Sequence, residues 1–286
     1  MSPEPLNRGI LTLVSLSIGN ADDITPRAEA ALTESDLVVA EDTRAVAGIL
    51  KSIGAKVPTL SCFEGNEKNR VEKVLKTLAS GKRVVLVSKA GTPGISDPGF
   101  VIARAAIEAG FEIDAVPGAC AAISALTLSG LPSDRFCFEG FLPRKGKTRA
   151  ERIKAISEFD GAVIIYEAPA RVRSTLQDLS AKLGNAPAAV CREMTKQHQE
   201  IMRGGLNGLI EQLDGRSLLG EVTIVVKSSG PAAHSTERPM EAVKELKEKL
   251  GLSNRDAIKA AAICFGISKN LLYDSISLND EEEKVK

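Results

Sequence analysis

Two turns rich in glycine and proline, residues 90–99 and 116–120, each follow a short apolar run. The runs at residues 83–88 and 111–116 are β-branched, and a helical pattern follows each turn, so each predicts a strand that leads into a helix. In an open α/β sheet, parallel strands end at one edge, where helix N-termini present free N–H groups and ligands bind. One such turn alone can simply connect a strand to a helix, but two together predict a ligand crevice at this edge.

The first part of the chain alternates strand and helix patterns, which predicts a parallel-rich α/β domain over residues 1–132. Two apolar stripes at helical spacing end at Gly54 and Gly81, as helices commonly do. Further strands are predicted at residues 10–17, 37–40 and 57–61.

From residue 133 to residue 228, strand patterns with fewer intervening helices predict a second, α+β domain. Its clearest helix carries an apolar face from Val172 to Leu183 and ends at Gly184. Its strands are predicted at residues 136–138, 162–166, 188–191, 200–202 and 221–227. The predicted fold class is therefore α/β with two domains.

The end of the chain predicts a linker and a small helical module. Residues 229–239 lack apolar periodicity, as linkers do. Residues 240–286 resemble a helix-turn-helix, with a capping box at Ser253 for one helix and Ser268, after Gly266, for the next. The second helix offers only Lys269 as a basic residue, so a packing appendage without nucleic-acid contact is an equally good interpretation.

The charge balance and the cysteine pattern exclude several classes of protein. Lysine plus arginine and aspartate plus glutamate each number 37, so any nucleic-acid contact must come from a local patch. Five scattered cysteines without a C-x-x-C pair, and only two histidines, predict neither a disulfide framework nor a metal site. Without an export signal or a bilayer-spanning apolar run, we expect a soluble cytoplasmic protein without membrane contact.

The turn after the first predicted strand, residues 15–25, also ends at the crevice edge. Thr25 is placed to cap the next helix, with Pro26 at its first position. The turn lacks G-x-G-x-x-G, and no G-x-x-x-x-G-K-[ST] occurs in the chain. These absences argue against nicotinamide and nucleoside-triphosphate sites.

Charged residues at predicted strand ends are the candidates for chemistry. Glu41, Asp42 and Arg44 either cap the following helix or contact a substrate. Glu64 and Glu67 either face solvent before the next helix or position and deprotonate a hydroxyl.

Six basic residues lie between Arg144 and Lys154, in a glycine-hinged loop that leads into a helix. Such a loop either grips phosphates, which makes binding salt-dependent, or is a solvated charge run. Residues 166–171 and 191–196 follow second-domain strands and place acidic and basic side chains together, where they could meet the first-domain turns across a cleft.

These residues resemble the family of bacterial ribosomal RNA small-subunit methyltransferases I, within the tetrapyrrole methylase superfamily. The resemblance covers about residues 9 to 228 in order and spacing, and the C-terminal module is similar to the family's optional one. The matching stretches are residues 17–25, 40–44, 90–99, 117–118, 130–136, 139–143, 166–171, 192–196 and 220–221.

The resemblance implies two α/β domains with S-adenosylmethionine in the cleft between them, and a homodimer. It implies 2′-O-methylation of a cytidine ribose in the decoding region of 16S rRNA, in RNA or in the small ribosomal subunit. Carried over by position, the implied cofactor contacts are Ile18, Gly19, Lys89, Ala90, Gly91, Thr92, Cys120, Ala121, Tyr166 and Cys191.

The chain departs from the family pattern at three places. Lys89 stands where the family usually has Asp, and a lysine aimed at the cationic sulfonium would be repelled by about 1 to 4 kcal/mol at 4 Å. Its side chain therefore turns away, or the affinity for the cofactor is reduced. Leu16-Ser17 replaces Thr-Pro, and residues 63–65 replace a His-Glu-His pattern.

The hypothesis for mechanism names Glu64 or Glu67 as the base that accepts the ribose proton. It assigns RNA phosphates to Arg44, Arg144, Lys145, Arg171 and Lys196. Two alternatives stay open: methyl transfer to a ring carbon of a corrin or porphyrin, and a non-catalytic RNA- or DNA-binding scaffold whose cofactor site Lys89 has disabled.

Overall fold

The computed structural model describes residues 9–63, 65–230 and 237–265, together with residues 269, 272, 273 and 276. Two five-stranded sheets lie in sequence along the chain, and a pair of helices follows them.

The first sheet is entirely parallel, with strand order β3-β2-β4-β1-β5. All five predicted strands are present, but β1 ends at Val14, short of the predicted end, because the backbone of Leu16 then bonds to Gly91 in the turn after β4. The strands are β1 Ile10–Val14, β2 Leu37–Ala40, β3 Thr59–Ser61, β4 Val84–Val87 and β5 Glu112–Val116.

Helices cover both faces of this sheet. The helices that follow strands β1 to β4 are α1 Pro26–Thr33, α2 Thr43–Ser52, α3 Glu67–Ala79 and α4 Phe100–Glu108. Buried side chains of α1 and α2 pack on one face, and those of α3 and α4 pack on the other. Strands buried on both faces must be apolar throughout, as the fully buried Leu-Val-Val-Ala of β2 and Val-Val-Leu-Val of β4 are.

Strands β1 and β4 are neighbours, yet the helices that follow them go to opposite faces of the sheet. The chain therefore opens a crevice at the carboxyl ends of these two strands, where open α/β sheets bind ligands. The predicted ligand edge lies at this point.

The second sheet is mixed, with strand order β6-β7-β10-β8-β9. Only the β6–β7 pair is parallel. The strands are β6 Phe136–Phe141, β7 Asp160–Glu167, β8 Pro187–Arg192, β9 Glu200–Gly205 and β10 Val222–Ser229. This arrangement confirms the predicted combination of a parallel-rich sheet with an α+β unit.

Helices also cover both faces of the second sheet. They are α5 Ala121–Ser129, α6 Lys147–Glu158, α7 Val172–Leu183 and α8 Leu206–Gln212. The apolar sides of α6, α7 and α8 bury one face, and α5 covers the other with Ala122, Ala125 and Leu126. Although α5 lies within the predicted first domain, it packs on the second sheet and so connects the two units.

Two helices, α9 Glu237–Leu250 and α10 Asn254–Phe265, form the C-terminal unit. Their contact buries Val243, Ile258 and Ala261. The Ser253 hydroxyl accepts the Asp256 N–H at 3.1 Å, so the predicted cap of α10 is confirmed. The predicted turn at Gly266 and the cap at Ser268 lie outside the described residues.

The predicted linker over residues 229–239 is too long at both ends. Strand β10 continues through Ser229, and α9 already begins at Glu237. The pairing of Ser229 with Asp160 explains the longer strand, because cross-strand pairing extends beyond the apolar pattern. Within the described ranges, no helix is both long and apolar enough to cross a membrane.

Candidate functional site

A cavity of about 370 Å³ lies where the crevice edge of the first sheet faces the second sheet. This volume is in the range of small-molecule sites. The first unit contributes Ile18 after β1, Glu41 after β2 and residues 89–97 after β4, and Tyr166 on β7 faces them from the second unit. The structure thus brings together eight predicted contacts, namely Ile18, Lys89, Ala90, Gly91, Thr92, Cys120, Ala121 and Tyr166.

The floor of the cavity is made by the turns after β1 and β4. The Leu16 N–H donates to Gly91 O at 2.9 Å, and the Gly91 N–H donates to Ser17 O at 3.1 Å. Gly91 has a φ of +70°, which glycine adopts without the penalty that a side chain would bring. A Cβ there would also crowd Ile18 Cγ2 at 3.2 Å, so a side chain at this position would strain the contact between the two turns.

The turn after β5 is fixed to this floor. The hydroxyls of Ser15 and Thr92 are 3.0 Å apart, and the Thr92 hydroxyl donates to Ala119 O at 3.1 Å. Gly118 packs directly on Ser15, since a Cβ on Gly118 would lie 2.9 Å from Ser15 Cβ. Three strand ends therefore form one continuous backbone surface.

Two predicted cofactor contacts, Gly19 and Cys191, do not line the cavity. Gly19 lies beneath the Lys196 side chain, where a Cβ would come within 2.5 Å of Lys196 Cγ. Cys191 is fully buried in the core beside Ala125, and burial raises the pKa of its thiol to about 11. Gly19 is next in sequence to Ile18, which lines the cavity. Cys191 pairs across the second sheet with Thr223, which also lines it.

Aromatic side chains form the second-unit wall. The Tyr166 ring meets the rings of Phe138 and Phe141 edge to face, with centroids 4.8 and 5.7 Å away. The Tyr166 hydroxyl accepts the Ala122 N–H at 3.1 Å, and burial raises the pKa of this phenol. The wall is thus apolar, and its phenol stays protonated at neutral pH.

Three carboxylates, which form an acidic rim, also line the cavity, and Glu41 alone among them was a predicted candidate. The three residues come from separate loops, Glu41 and Asp97 from the first unit and Glu221 from the second. Burial, the largest cause, and nearby Glu41 together raise the pKa of Asp97 to about 6, against an opposing hydrogen bond with the Ser88 hydroxyl. Such a rim favours a ligand that carries positive charge next to apolar groups.

Lys89 is the cation of this rim. Its backbone N–H donates to Glu41 Oε2 at 3.1 Å, and its side chain is exposed. The residue lines the cavity and acts electrostatically on Asp97. The positive charge is therefore offset by neighbouring carboxylates.

Glu167, which lines the cavity, belongs to a buried network of polar side chains. Glu167 is 2% exposed and accepts hydrogen bonds from Arg171 Nε at 2.6 Å and from the Thr175 hydroxyl at 2.6 Å. Arg171 was predicted to hold an RNA phosphate, but it is bound to Glu167 and to Leu142 O. Its Nη1 is buried without a hydrogen-bond partner among the described residues.

The predicted base Glu67 contacts the first turn of α4 instead of the cavity. Its Oε1 accepts the N–H groups of Gly99 and Val101 at 2.8 and 3.1 Å. This contact satisfies N–H groups that the helix leaves free, and the carboxylate does not line the cavity. The other predicted base, Glu64, lies outside the described residues.

Of the other predicted phosphate contacts, two form ion pairs and two are exposed without one among the described residues. Arg44 pairs with Asp42, the cap of α2, and Lys196 pairs with Glu193 and Glu221 at 2.9 Å each. Arg144 and Lys145 are exposed.

The basic loop carries fewer free charges than its composition suggests. Arg149 is buried against Asp178 at 2.8 Å, and Arg152, Lys147 and Lys154 each pair with a glutamate. Among the described residues of the loop, Arg144 and Lys145 remain without an ion pair.

Comparison with known proteins agrees with this geometry. The family profile Tetrapyrrole (Corrin/Porphyrin) Methylases matches residues 11–210. The "Ribosomal RNA small subunit methyltransferase I" of Haemophilus influenzae is 41% identical over 93% of this chain and 95% of its own. The protein of the same name from Thermotoga maritima is 42% identical over 76% of this chain and 98% of its own.

Two solved structures share the fold. The methyltransferase CobJ has a TM-score of 0.59 and 23% identity, over 77% of this chain and 95% of its own. Diphthine synthase has a TM-score of 0.59 and 18% identity, over 77% of this chain and 90% of its own.

Proposed function

The chain belongs to the ribosomal RNA small subunit methyltransferase I family of the tetrapyrrole methylases, and we propose that it methylates 16S rRNA with S-adenosylmethionine. The proposed acceptor is the 2′-hydroxyl of a cytidine ribose in the decoding region. The observation that carries the proposal is the 41% identity over nearly the whole chain, together with a ligand-sized cavity at the topological switch point.

The residues of the cavity suit this cofactor. Ile18, Gly91 and Ala121 offer an apolar and backbone surface, and Glu41, Asp97 and Glu221 offer carboxylates to a ligand with two cationic groups. When bound, the cofactor supplies a methyl group that the positive sulfur has already activated.

The chain itself contributes orientation and exclusion of water. Phe141 and Tyr166 cover the cavity from the second unit, while the joined turns fix its floor. Holding the acceptor oxygen in line with the methyl carbon can contribute about 7 to 11 kcal/mol to lowering the barrier.

Arg144 and Lys145 are the basic side chains available for phosphate contacts, because they are exposed and unpaired among the described residues. Arg44 is exposed enough to exchange Asp42 for a phosphate. We further propose that the chain acts in the cytoplasm as a homodimer on the small ribosomal subunit.

The test is transfer of a labelled methyl group. Small subunits from cells that lack this modification are incubated with the chain and methyl-labelled S-adenosylmethionine, and the label is mapped by nuclease resistance and mass. We expect one label on one cytidine ribose, and none on fully modified subunits. Label on a nucleobase, or transfer to a free tetrapyrrole but not to subunits, would overturn the proposal.

The scaffold alternative is tested by calorimetry. If Lys89 has disabled the site, S-adenosylmethionine gives no binding heat although the chain still binds RNA. We expect binding, because Glu41, Asp97 and Glu221 offset the Lys89 charge.

A further inference from the structure

We propose that Asp97 is the general base that takes the proton from the acceptor hydroxyl. The inference rests on the proposed function and names the proton acceptor of the same site. Of the two predicted bases, Glu67 contacts the first turn of α4 and does not line the cavity, and Glu64 lies outside the described residues.

Four carboxylates line the cavity, and three of them are engaged. Glu41 accepts the Lys89 N–H at 3.1 Å, and Glu167 is bound to Arg171 and Thr175. Glu221 pairs with Lys196 at 2.9 Å. In the described part of the chain, Asp97 is the lining carboxylate that neither pairs with a cation nor accepts a backbone N–H. It shares a hydrogen bond with the Ser88 hydroxyl, and its remaining acceptor capacity can serve a substrate proton.

The turn that carries Asp97 is held firmly. Ser96 has a φ of +61°, a conformation that side chains adopt rarely and that needs support from the surroundings. Glu67 of α3 ties down the segment that follows this turn, by accepting the N–H groups of Gly99 and Val101. Glu67, a predicted base, thus has a structural role next to the turn that carries Asp97.

Burial and the neighbouring charges bring the pKa of this carboxyl close to neutral pH. Partial burial is the main cause that raises the pKa of Asp97 to about 6, Glu41 and Glu221 raise it too, and Ser88 and Lys89 lower it. Tyr166 also faces Asp97, across the cavity. A base with a pKa near the working pH is deprotonated often enough and still accepts a proton readily.

The step balances without a further reactant. The ribose oxygen forms a bond to the methyl carbon, the carbon–sulfur bond breaks with its electron pair on sulfur, and the hydroxyl proton passes to an Asp97 oxygen. The products are the methyl ether, a neutral thioether and a protonated carboxyl, which returns its proton to solvent.

The test compares full-length wild type, Asp97→Asn, Asp97→Glu and the matched control Asp214→Asn in single-turnover methylation of undermodified small subunits. Asp214 is 75% exposed in its side chain and lies outside the cavity. Rates are measured from pH 5 to pH 8.5, and the affinity for S-adenosylmethionine is measured separately by calorimetry.

We expect the wild-type rate to rise with pH and level off above about pH 6, as the carboxyl ionises. Asp97→Asn should lose about 10²- to 10⁴-fold in single-turnover rate at saturating cofactor and lose this rise, a loss larger than any accompanying weakening of cofactor binding. Asp97→Glu should keep part of the rate and the rise, and Asp214→Asn should match wild type.

An Asp97→Asn rate within about fivefold of wild type, an unchanged rise with pH, or a loss explained by weaker cofactor binding would overturn the assignment. These outcomes leave wild-type methylation intact and so leave the proposed function standing. A wild type that methylates no subunit would overturn both.

Discussion

The hydroxyl of Tyr166 accepts a 3.1 Å hydrogen bond from the backbone N–H of Ala122. Tyr166 lies on β7 of the second sheet, and Ala122 lies in the first turn of α5, just after the last strand of the first sheet. This bond thus ties the second sheet to the start of α5, the helix that connects the two units.

Removing the Tyr166 hydroxyl leaves the Ala122 N–H without its acceptor. We expect Tyr166→Phe to lower the free energy of unfolding by about 1–3 kcal/mol, since a buried donor that loses its partner costs its desolvation energy. Urea unfolding measures the change. The other tyrosine, Tyr273, is exposed, and Tyr273→Phe should match wild type. Equal stability of the two variants would contradict the prediction.

Gly118 has no space for a side chain. We expect Gly118→Ala to destabilise the protein by about 1–3 kcal/mol and to weaken cofactor binding, because its Cβ would push Ser15 out of the floor. The matched control is Gly48→Ala, in the interior of α2 with no atom near the added Cβ. This control should raise stability by up to about 1 kcal/mol. A Gly118→Ala protein with wild-type stability would argue against the packed floor.

Lys89 places a positive charge beside a site proposed for a cationic ligand. Lys89→Ala should tighten S-adenosylmethionine binding by about 1 kcal/mol, or roughly fivefold, at low salt. The gain should shrink as salt rises, because the lysine is exposed. Calorimetry at two salt concentrations decides the point, and unchanged or weaker binding would show that Lys89 does not act on the ligand.

Asp97 makes stability depend on pH. Its pKa rises from 3.8 to about 6 on folding, so the folded state holds the proton where the unfolded state has lost it. Stability therefore falls as pH rises from about 4 to about 6. Asp97→Asn lacks this loss, so it should gain stability over wild type as pH rises through that window. Urea unfolding at several pH values measures the difference, and a constant difference would refute the shift.

Arg144 and Lys145 are expected to bind rRNA through charge alone. The double variant Arg144→Ala/Lys145→Ala should reduce the slope of log K against log salt by roughly 1.4 to 1.8, for two lost phosphate contacts. Cofactor binding should stay unchanged. Lys154→Ala is the control, because Lys154 already pairs with Glu158. An unchanged salt slope in the double variant would exclude this loop from the RNA interface.

Local sequence signals predicted the backbone of the site well. Glycine, proline and β-branched runs act over a few residues, so the turns after β1, β4 and β5 could be placed before the structure was known. Eight of the ten cofactor contacts that the family resemblance implies line the cavity. Cys191 faces the same side of the second sheet as the lining residues Thr223 and Tyr166, but Ala125 of α5 covers it, and a tertiary contact of this kind leaves no signal in the local sequence.

Charged groups were predicted less well, because their partners are distant in sequence. The pairing of Arg149 with Asp178, and of Lys196 with Glu221, removes cations that looked free in the chain. Asp97 lay within a turn that the sequence analysis named, but its isolation among engaged carboxylates depends on three loops that only the fold brings together.

A crystal grown with S-adenosylmethionine would show where the cofactor binds. We expect it between the joined turns and the aromatic wall, in contact with Ile18, Gly91 and Ala121. Ligand bound at any other place, or no ligand at a saturating concentration, would show that this cavity is not the cofactor site.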